Sequence, residues 1–210
     1  MNTKVLLVAV GACVAAACGS GHDVKAPTRA NFEAALDDFL VRRGDLCLGM
    51  FDWPIDLTEA EAGAGSRHAV QLPVLEKLGL VRSTFVPVAK SSENPDGALK
   101  RYELTEAGRR FYIPHAHAAR NEAPHPNDFC VAHLRRERIV DWQIDAHDPQ
   151  HPVAVVNYTY RIDPAPWTRD ADAQRVFPMV ARVVNGAGQM QLRQGFTVSN
   201  KGWIAVDGPV

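Results

Sequence analysis

The stretch Ala154-Val-Val-Asn-Tyr-Thr-Tyr-Arg-Ile162 decides the fold class, because every second side chain in it is apolar. The apolar positions are Ala154, Val156, Tyr158, Tyr160 and Ile162. Alternation with a period of two predicts a β-strand with one buried face. Such a strand is typical of an antiparallel sheet that is covered on one side only.

The same period extends through the C-terminal part of the chain. The other predicted strand faces are Val140, Trp142 and Ile144, then Met190, Leu192, Phe196 and Val198, and finally the stretch 203–206. Asn185-Gly186 and Asn200-Lys201-Gly202 have the composition of hairpin turns. One helix is predicted between the strands, beginning at Pro166 and ending at Pro178. We therefore predict an antiparallel sheet of four to six strands with one helix over 128–210.

The N-terminal half has helical spacing instead. Phe32, Leu36 and Leu40 predict a helix that begins near Thr28 or Asn31 and ends at Gly44. Thr58 and Glu61 form a capping box, and a second helix over 67–79 follows. Strands over 80–88 and 99–104 and a short helix over 105–112 complete this part. The whole chain is thus predicted to be α+β.

One segment carries a family resemblance. Leu75-Glu-Lys-Leu-Gly-Leu-Val81, a hairpin, and Leu104-Thr-Glu-Ala-Gly108 resemble a winged-helix domain, a family that usually binds DNA through the helix before the wing. The helix here offers few cations, among them Arg67 and Lys77, and DNA binding needs several to neutralise phosphates. We expect a winged-helix-like unit packed on the C-terminal sheet and no nucleic-acid partner.

The first residues resemble a bacterial lipoprotein signal peptide. Lys4 precedes a short apolar run from Val5 to Ala17, and Ala15-Ala-Ala-Cys18 resembles a lipobox with Ala in place of the usual Leu. The run is too short to span a bilayer. The resemblance implies cleavage before Cys18 and lipid on its sulfur, and the absence of Asp at the next position implies the outer membrane. Ordinary secretory cleavage near Ala17 is the alternative.

The expected organisation follows from these segments. It is a signal peptide (1–17), a lipid-anchored tether (18–27), a winged-helix-like unit (28–113), a linker (114–127) and the sheet unit (128–210). In the C-terminal half, Phe129-Cys130, Val140-Asp-Trp142 and Gly202-Trp203 together resemble a group of proteobacterial envelope proteins with no assigned activity. That resemblance implies a periplasmic protein.

The charge balance and the number of cysteines limit which functions are expected. Removal of residues 1–17 takes away one of 23 Lys+Arg and none of 24 Asp+Glu, so the mature chain has 22 cations against 24 acids and no basic block. Cys47 and Cys130 then remain as a pair in an oxidising compartment, which predicts one disulfide. Two buried free thiols are the alternative.

Few residues are candidates for catalysis, metal binding or protein binding. His115, His117 and His125 are the metal candidates, although a flexible segment of this kind is more often solvated. Asp141, Asp145, His147 and Asp148 lie near one strand end and could form an acid–base site, but they also fit a solvated turn. The acids Asp52, Asp56, Glu59 and Glu61 surround a helix start, where the helix dipole explains them. Trp167, Arg169 and Asp170 have the composition of an interface.

No set of residues defines a reaction, and no cofactor motif is present. We therefore expect a non-enzymatic lipoprotein, anchored by lipid to the periplasmic face of the outer membrane, that binds another envelope protein or an incoming protein. An immunity or inhibitor protein is one specific form. An envelope assembly or scaffold component and a periplasmic hydrolase are the alternatives.

Overall fold

The computed structural model describes residues 23–114, 127–145 and 152–206. The helices are α1 (Arg29–Arg43), α2 (Glu59–Gly63), α3 (Arg67–Lys77), α4 (Glu106–Arg109), α5 (Ala171–Val176) and α6 (Pro178–Gly186), with a 3₁₀ helix at Pro166–Arg169. The strands are β1 (Asp45–Cys47), β2 (Ile55–Leu57), β3 (Val81–Pro87), β4 (Ala98–Leu104), β5 (Tyr112–Pro114), β6 (Asn127–His133), β7 (Arg135–Asp145), β8 (Val153–Arg161), β9 (Gln191–Ser199) and β10 (Gly202–Ala205). The predicted α+β class is confirmed.

The C-terminal sheet has four antiparallel strands in the order β10-β9-β8-β7, and α1 covers one of its faces. Phe32 and Leu36 of α1 are buried there against Val156 and Tyr158 of β8. We call this hydrophobic cluster the sheet core. The even-numbered residues of β8 face α1, as the alternation predicts, and the odd-numbered residues face the other way.

A second hydrophobic cluster, which we call the wing core, lies in the helix–hairpin unit of the N-terminal half. The unit contains β2, α2, α3, β3 and β4 in chain order, and its three strands form a sheet in the order β2-β4-β3. Leu72 and Leu75 of α3 and Tyr102 of β4 form its centre. Phe129 of β6 also packs there, so the third sheet, in the order β1-β6-β5, joins the unit to the rest of the chain.

Local signals position the helices as predicted. Thr28 caps α1 by accepting a hydrogen bond from the Asn31 backbone, and the capping box of Thr58 and Glu61 starts α2. Gly79, after α3, has a φ of 74°, which a residue with a side chain rarely adopts. These caps satisfy backbone groups that a helix end leaves unpaired.

The two halves of the sequence contribute to each other's core. Helix α1 belongs by sequence to the N-terminal half, yet it packs on β7 and β10. In the other direction, Ala173 of α5 and Val180 of α6 are buried in the wing core. The sequence pattern shows that each helix has an apolar side, but it does not say which neighbour buries that side.

Three details of the predicted C-terminal half are wrong. Asn185 and Gly186 end α6 instead of forming a hairpin turn. Pro178 begins α6, so the segment between β8 and β9 contains two α-helices and a 3₁₀ helix, not one helix. Ile139, not Val140, faces the sheet core, because the register of β7 shifts between Ile139 and Asp141. Within the predicted N-terminal unit 28–113, it is α1 that covers the sheet.

Parts of the predicted organisation lie outside the described residues. These are the signal peptide, Cys18 and most of the tether. The linker 114–127 is described only at its ends, where Pro114 and Asn127 pair in the register of β5 and β6.

Candidate binding surfaces

The side of the four-stranded sheet that faces away from α1 carries four arginines, which we call the arginine face. Arg135 and Arg138 belong to β7, Arg161 to β8 and Arg193 to β9, and all four are exposed. Arg135 is opposite Arg161, and Arg138 is opposite Thr159. Arg193 is opposite Asn157, one row further along the sheet. Directly opposite residues share a face, with Cβ atoms about 5 Å apart.

The charges of the arginine face are not compensated by the described residues. None of the four arginines makes an ion pair or a side-chain hydrogen bond within 23–114, 127–145 and 152–206. Like charges directly opposite each other, as at Arg135 and Arg161, destabilise a sheet. Two acids of β7 lie near these arginines: Glu137 is adjacent to Arg138 in the chain, and Asp141 accepts a hydrogen bond from the Asn157 amide at 2.5 Å.

Arg136 shows the contrast. It lies opposite Tyr160 and therefore on the α1 side, where Asp37 accepts two hydrogen bonds from it at 2.8 and 2.9 Å. Hydrogen bonding to Asp37 raises the pKa of Arg136 above its ordinary value, and the charges of Asp37 and Glu33 act in the same direction. A β-bulge between Arg136 and Arg138 sends these two side chains to opposite faces of the sheet.

Thr159 lies in the middle of the arginine face. It is only 1% exposed, and its hydroxyl oxygen has no hydrogen-bond partner. By register it is surrounded by longer side chains, those of Arg138 on one side, Gln191 on the other, and Arg161 two residues along β8. A buried hydroxyl without a partner costs about 1–3 kcal/mol. The site therefore combines unpaired cations with an unused hydroxyl donor.

A second surface, the wing groove, lies between α2 and the β3–β4 hairpin. It encloses about 230 Å³. Its apolar lining comes from Leu57, Ala62, Phe85 and Leu99. The Phe85 side chain is 77% exposed at its rim. Large exposed aromatic side chains beside an apolar pocket are typical of protein interfaces.

Hydrogen bonds hold the walls of the wing groove in place. The Glu59 carboxylate accepts from the backbone of Asp96 at 3.1 and 3.3 Å, and the Asn94 side chain accepts from the backbone of Glu59 at 3.2 Å. Asn94 is buried although it belongs to the hairpin turn. These bonds therefore hold the hairpin turn against the start of α2.

The predicted interface residues have structural contacts. Trp167 packs against Phe111, Phe129 and Phe177 with ring centroids 6.0–6.2 Å apart. Asp170 caps α5 by accepting from the backbones of Asp172 and Ala173. Arg169 is exposed beside them. Their use as an interface stays a prediction.

The predicted disulfide between Cys47 and Cys130 is confirmed. The Asp128 carboxylate lies close to both sulfurs, within a group whose candidate ligand atoms are at most 4.8 Å apart. In the bonded state the sulfurs are not thiolates, and a cysteine binds zinc as a thiolate. Asp128 instead accepts from the backbones of Gly49 and Met50, which orders the chain after β1.

The acids around the start of α2 are engaged in separate contacts. A hydrogen bond from Arg101, with distances of 2.7 Å, lowers the pKa of Asp56. Hydrogen bonds from Thr58 lower the pKa of Glu61. Asp52 is exposed. Asp56, Glu59 and Glu61 therefore stabilise the local fold through separate contacts.

The remaining candidates divide between described and undescribed positions. Asp141 is opposite Asn157 in β7, and Asp145 ends that strand. The three metal candidates, His115, His117 and His125, lie outside the described residues, as do His147 and Asp148.

Sequence reasoning missed both surfaces. The run Arg135-Arg136-Glu137-Arg138 was the one local signal for the arginine face, and Arg161 and Arg193 join it only through the pairing of three strands. The alternation over 80–88 predicts a strand that contains Phe85. It does not show that the Phe85 side chain projects from the hairpin.

None of the described helices is long and apolar enough to cross a membrane. Family models, curated proteins and solved structures were all compared with this chain, and none of them matches it.

Proposed function

We propose that this chain is a lipoprotein of the bacterial envelope that binds another protein through the wing groove, with an immunity or inhibitor protein as the specific form. The location rests on the sequence around Cys18. The binding function is supported by one structural observation above all, the exposed Phe85 beside an apolar groove.

The chemistry of the groove defines what would fill it. An apolar side chain from a partner would lie against Leu57, Ala62 and Leu99, while Phe85 closes over it. The rim carries the acids Glu59 and Asp96 and the base Lys100, so polar contacts around the apolar centre are available. This is the anatomy of a small interface, with an apolar centre and a polar rim.

The first experiment places a photo-crosslinking residue at position 85 in cells and identifies the protein that is captured. Position 179 serves as the control, because Met179 is a second large apolar side chain that is 65% exposed. The proposal requires a partner that is captured at 85 and not at 179. Equal capture at both positions would contradict it.

The second experiment uses the captured partner in purified form. For an inhibitor, the partner should be a toxin or hydrolase whose activity falls when the wild-type chain is added and recovers with Phe85→Ala. A resident envelope component with no activity to inhibit would support the scaffold alternative. The Met179→Ala variant should behave like the wild type in either case.

The anchor has its own test. Labelled palmitate should enter the wild-type chain and not Cys18→Ser, and the wild type should fractionate with membranes. Absence of label together with recovery in the cytosol would contradict the envelope location.

A further inference from the structure

We propose that the arginine face is a binding site for a phosphate group, centred on Thr159 and independent of the wing groove. Three arginines surround this residue by register, and the hydroxyl that they surround is buried and has no partner.

Two arginines of this face carry charges that repel each other. Arg135 and Arg161 are exposed, directly opposite each other and without an ion pair among the described residues. The fold therefore places two like charges opposite each other, and neither is paired with an acid among the described residues. A bound anion removes this repulsion, because each guanidinium then has an opposite charge beside it.

The Thr159 hydroxyl is a buried donor on the same face. Thr159 points to the same face as Arg138, its partner in the register. The polar atom of a nine-tenths buried residue normally has a hydrogen-bond partner. An oxygen of a bound anion that enters between the flexible Arg138 and Gln191 side chains would accept from this hydroxyl.

The number of donors on this face indicates the class of anion. Guanidinium groups donate in pairs, and Arg135, Arg138 and Arg161 together with one hydroxyl offer more donors than the two oxygens of a carboxylate accept. The three terminal oxygens of a phosphate monoester accept from all of them. The shared chemistry is thus a phosphate, carried either by a soluble molecule or by a lipid headgroup.

The test titrates inorganic phosphate into the full chain at constant ionic strength, with chloride as the comparison, and follows binding by calorimetry and by amide chemical shifts. We expect saturable binding with shifts centred on residues 135–138 and 159–161. Arg138→Gln and Arg161→Gln should each weaken binding by about tenfold, the effect of losing one charge-assisted hydrogen bond. No saturable binding to the wild type would overturn the proposal.

Matched variants separate the site from a general charge effect. Arg110→Gln removes an exposed arginine elsewhere and should bind phosphate as the wild type does. Arg161→Lys keeps the charge without the planar fork and should bind between the wild type and Arg161→Gln. Thr159→Val should weaken binding by about fivefold while the chain stays folded. Equal losses in Arg110→Gln and Arg161→Gln would overturn the proposal.

A vesicle experiment distinguishes the two sources of phosphate. The full chain carrying Cys18→Ser, which cannot be anchored at that position, is mixed with phosphatidylcholine vesicles that contain or lack phosphatidic acid. Binding that needs phosphatidic acid and is lost in Arg138→Gln/Arg161→Gln supports a lipid headgroup. Binding of inorganic phosphate without vesicle binding supports a soluble ligand. Vesicle binding that persists in the double variant contradicts the site.

Discussion

Cys47 and Cys130 lie opposite each other in the register of β1 and β6 and are joined by a disulfide bond. The two strands connect the two cores at this point, because α1 of the sheet core leads into β1, and β6 leads into β7 of the sheet. The bond closes a loop with a sequence separation of 83 residues. It therefore fixes the place where the chain passes from one core to the other.

Loss of this bond should destabilise the fold. The Cys47→Ser/Cys130→Ser variant is expected to lose about 4 kcal/mol of unfolding free energy, because a long loop is no longer closed in the unfolded chain. Urea denaturation with and without reductant measures it, and reductant should affect the wild type only. Alkylated free thiols at both positions in the untreated protein would contradict the pairing.

Replacement of the unpartnered hydroxyl should stabilise the free protein. Thr159→Val has nearly the same shape and removes a buried polar atom without a partner, so we expect a gain of about 1 kcal/mol. Thermal denaturation in phosphate-free buffer measures the change. Thr84→Val, at an exposed position of β3, is the control and should change little. A loss of stability in Thr159→Val would show that the hydroxyl is bonded in the free protein.

Asp170 should stabilise the fold because its side chain caps α5. It accepts from the backbones of Asp172 and Ala173 at 2.8 and 3.1 Å. Asp170→Ala is expected to lower the free energy of unfolding by about 1 kcal/mol, and Asp170→Asn should retain most of it. Arg169→Ala, at the exposed neighbour, should have little effect. Unchanged stability in Asp170→Ala together with a lost partner would favour the interface hypothesis instead.

Glu76 should make stability depend on pH. Burial raises the pKa of its carboxyl, but hydrogen bonds from Ser83 and Lys100 and the charge of Lys100 outweigh burial, so the net pKa lies below its ordinary value. A group with a lowered pKa in the folded state stabilises the fold above its unfolded pKa of about 4.3, and this contribution is lost as the pH falls through the folded pKa.

The corresponding measurement compares Glu76→Gln with the wild type by urea denaturation across acid pH. The variant should be less stable at pH 7, and the difference should shrink once the pH falls below about 4.3. Glu93→Gln removes an exposed carboxylate and is the control. A difference that stays constant between neutral and acid pH would contradict an ionic contribution from Glu76.

Alternation and spacing predicted the elements where one local rule decided them. Helix α1 with its cap at Thr28, the capping box of Thr58 and Glu61, and the inward face of β8 follow from short-range hydrogen bonding and burial. The disulfide also followed from the sequence, because the predicted leader left one pair of cysteines. Asn185-Gly186 failed as a turn because the apolar residues before it continue a helix that packs on the cores.

The sequence by itself determined the α+β class and most of the helices and strands with their apolar sides, and it predicted the pairing of Cys47 with Cys130. Only the tertiary structure decided that α1 covers the sheet, that α5 and α6 pack in the wing core, and that Arg138 turns away from Arg136 at a bulge. The physical reason is the distance along the chain over which each kind of interaction acts. Local patterns act within a few residues, whereas the arginine face and the wing groove depend on strand register and on contacts between segments that are distant in the chain.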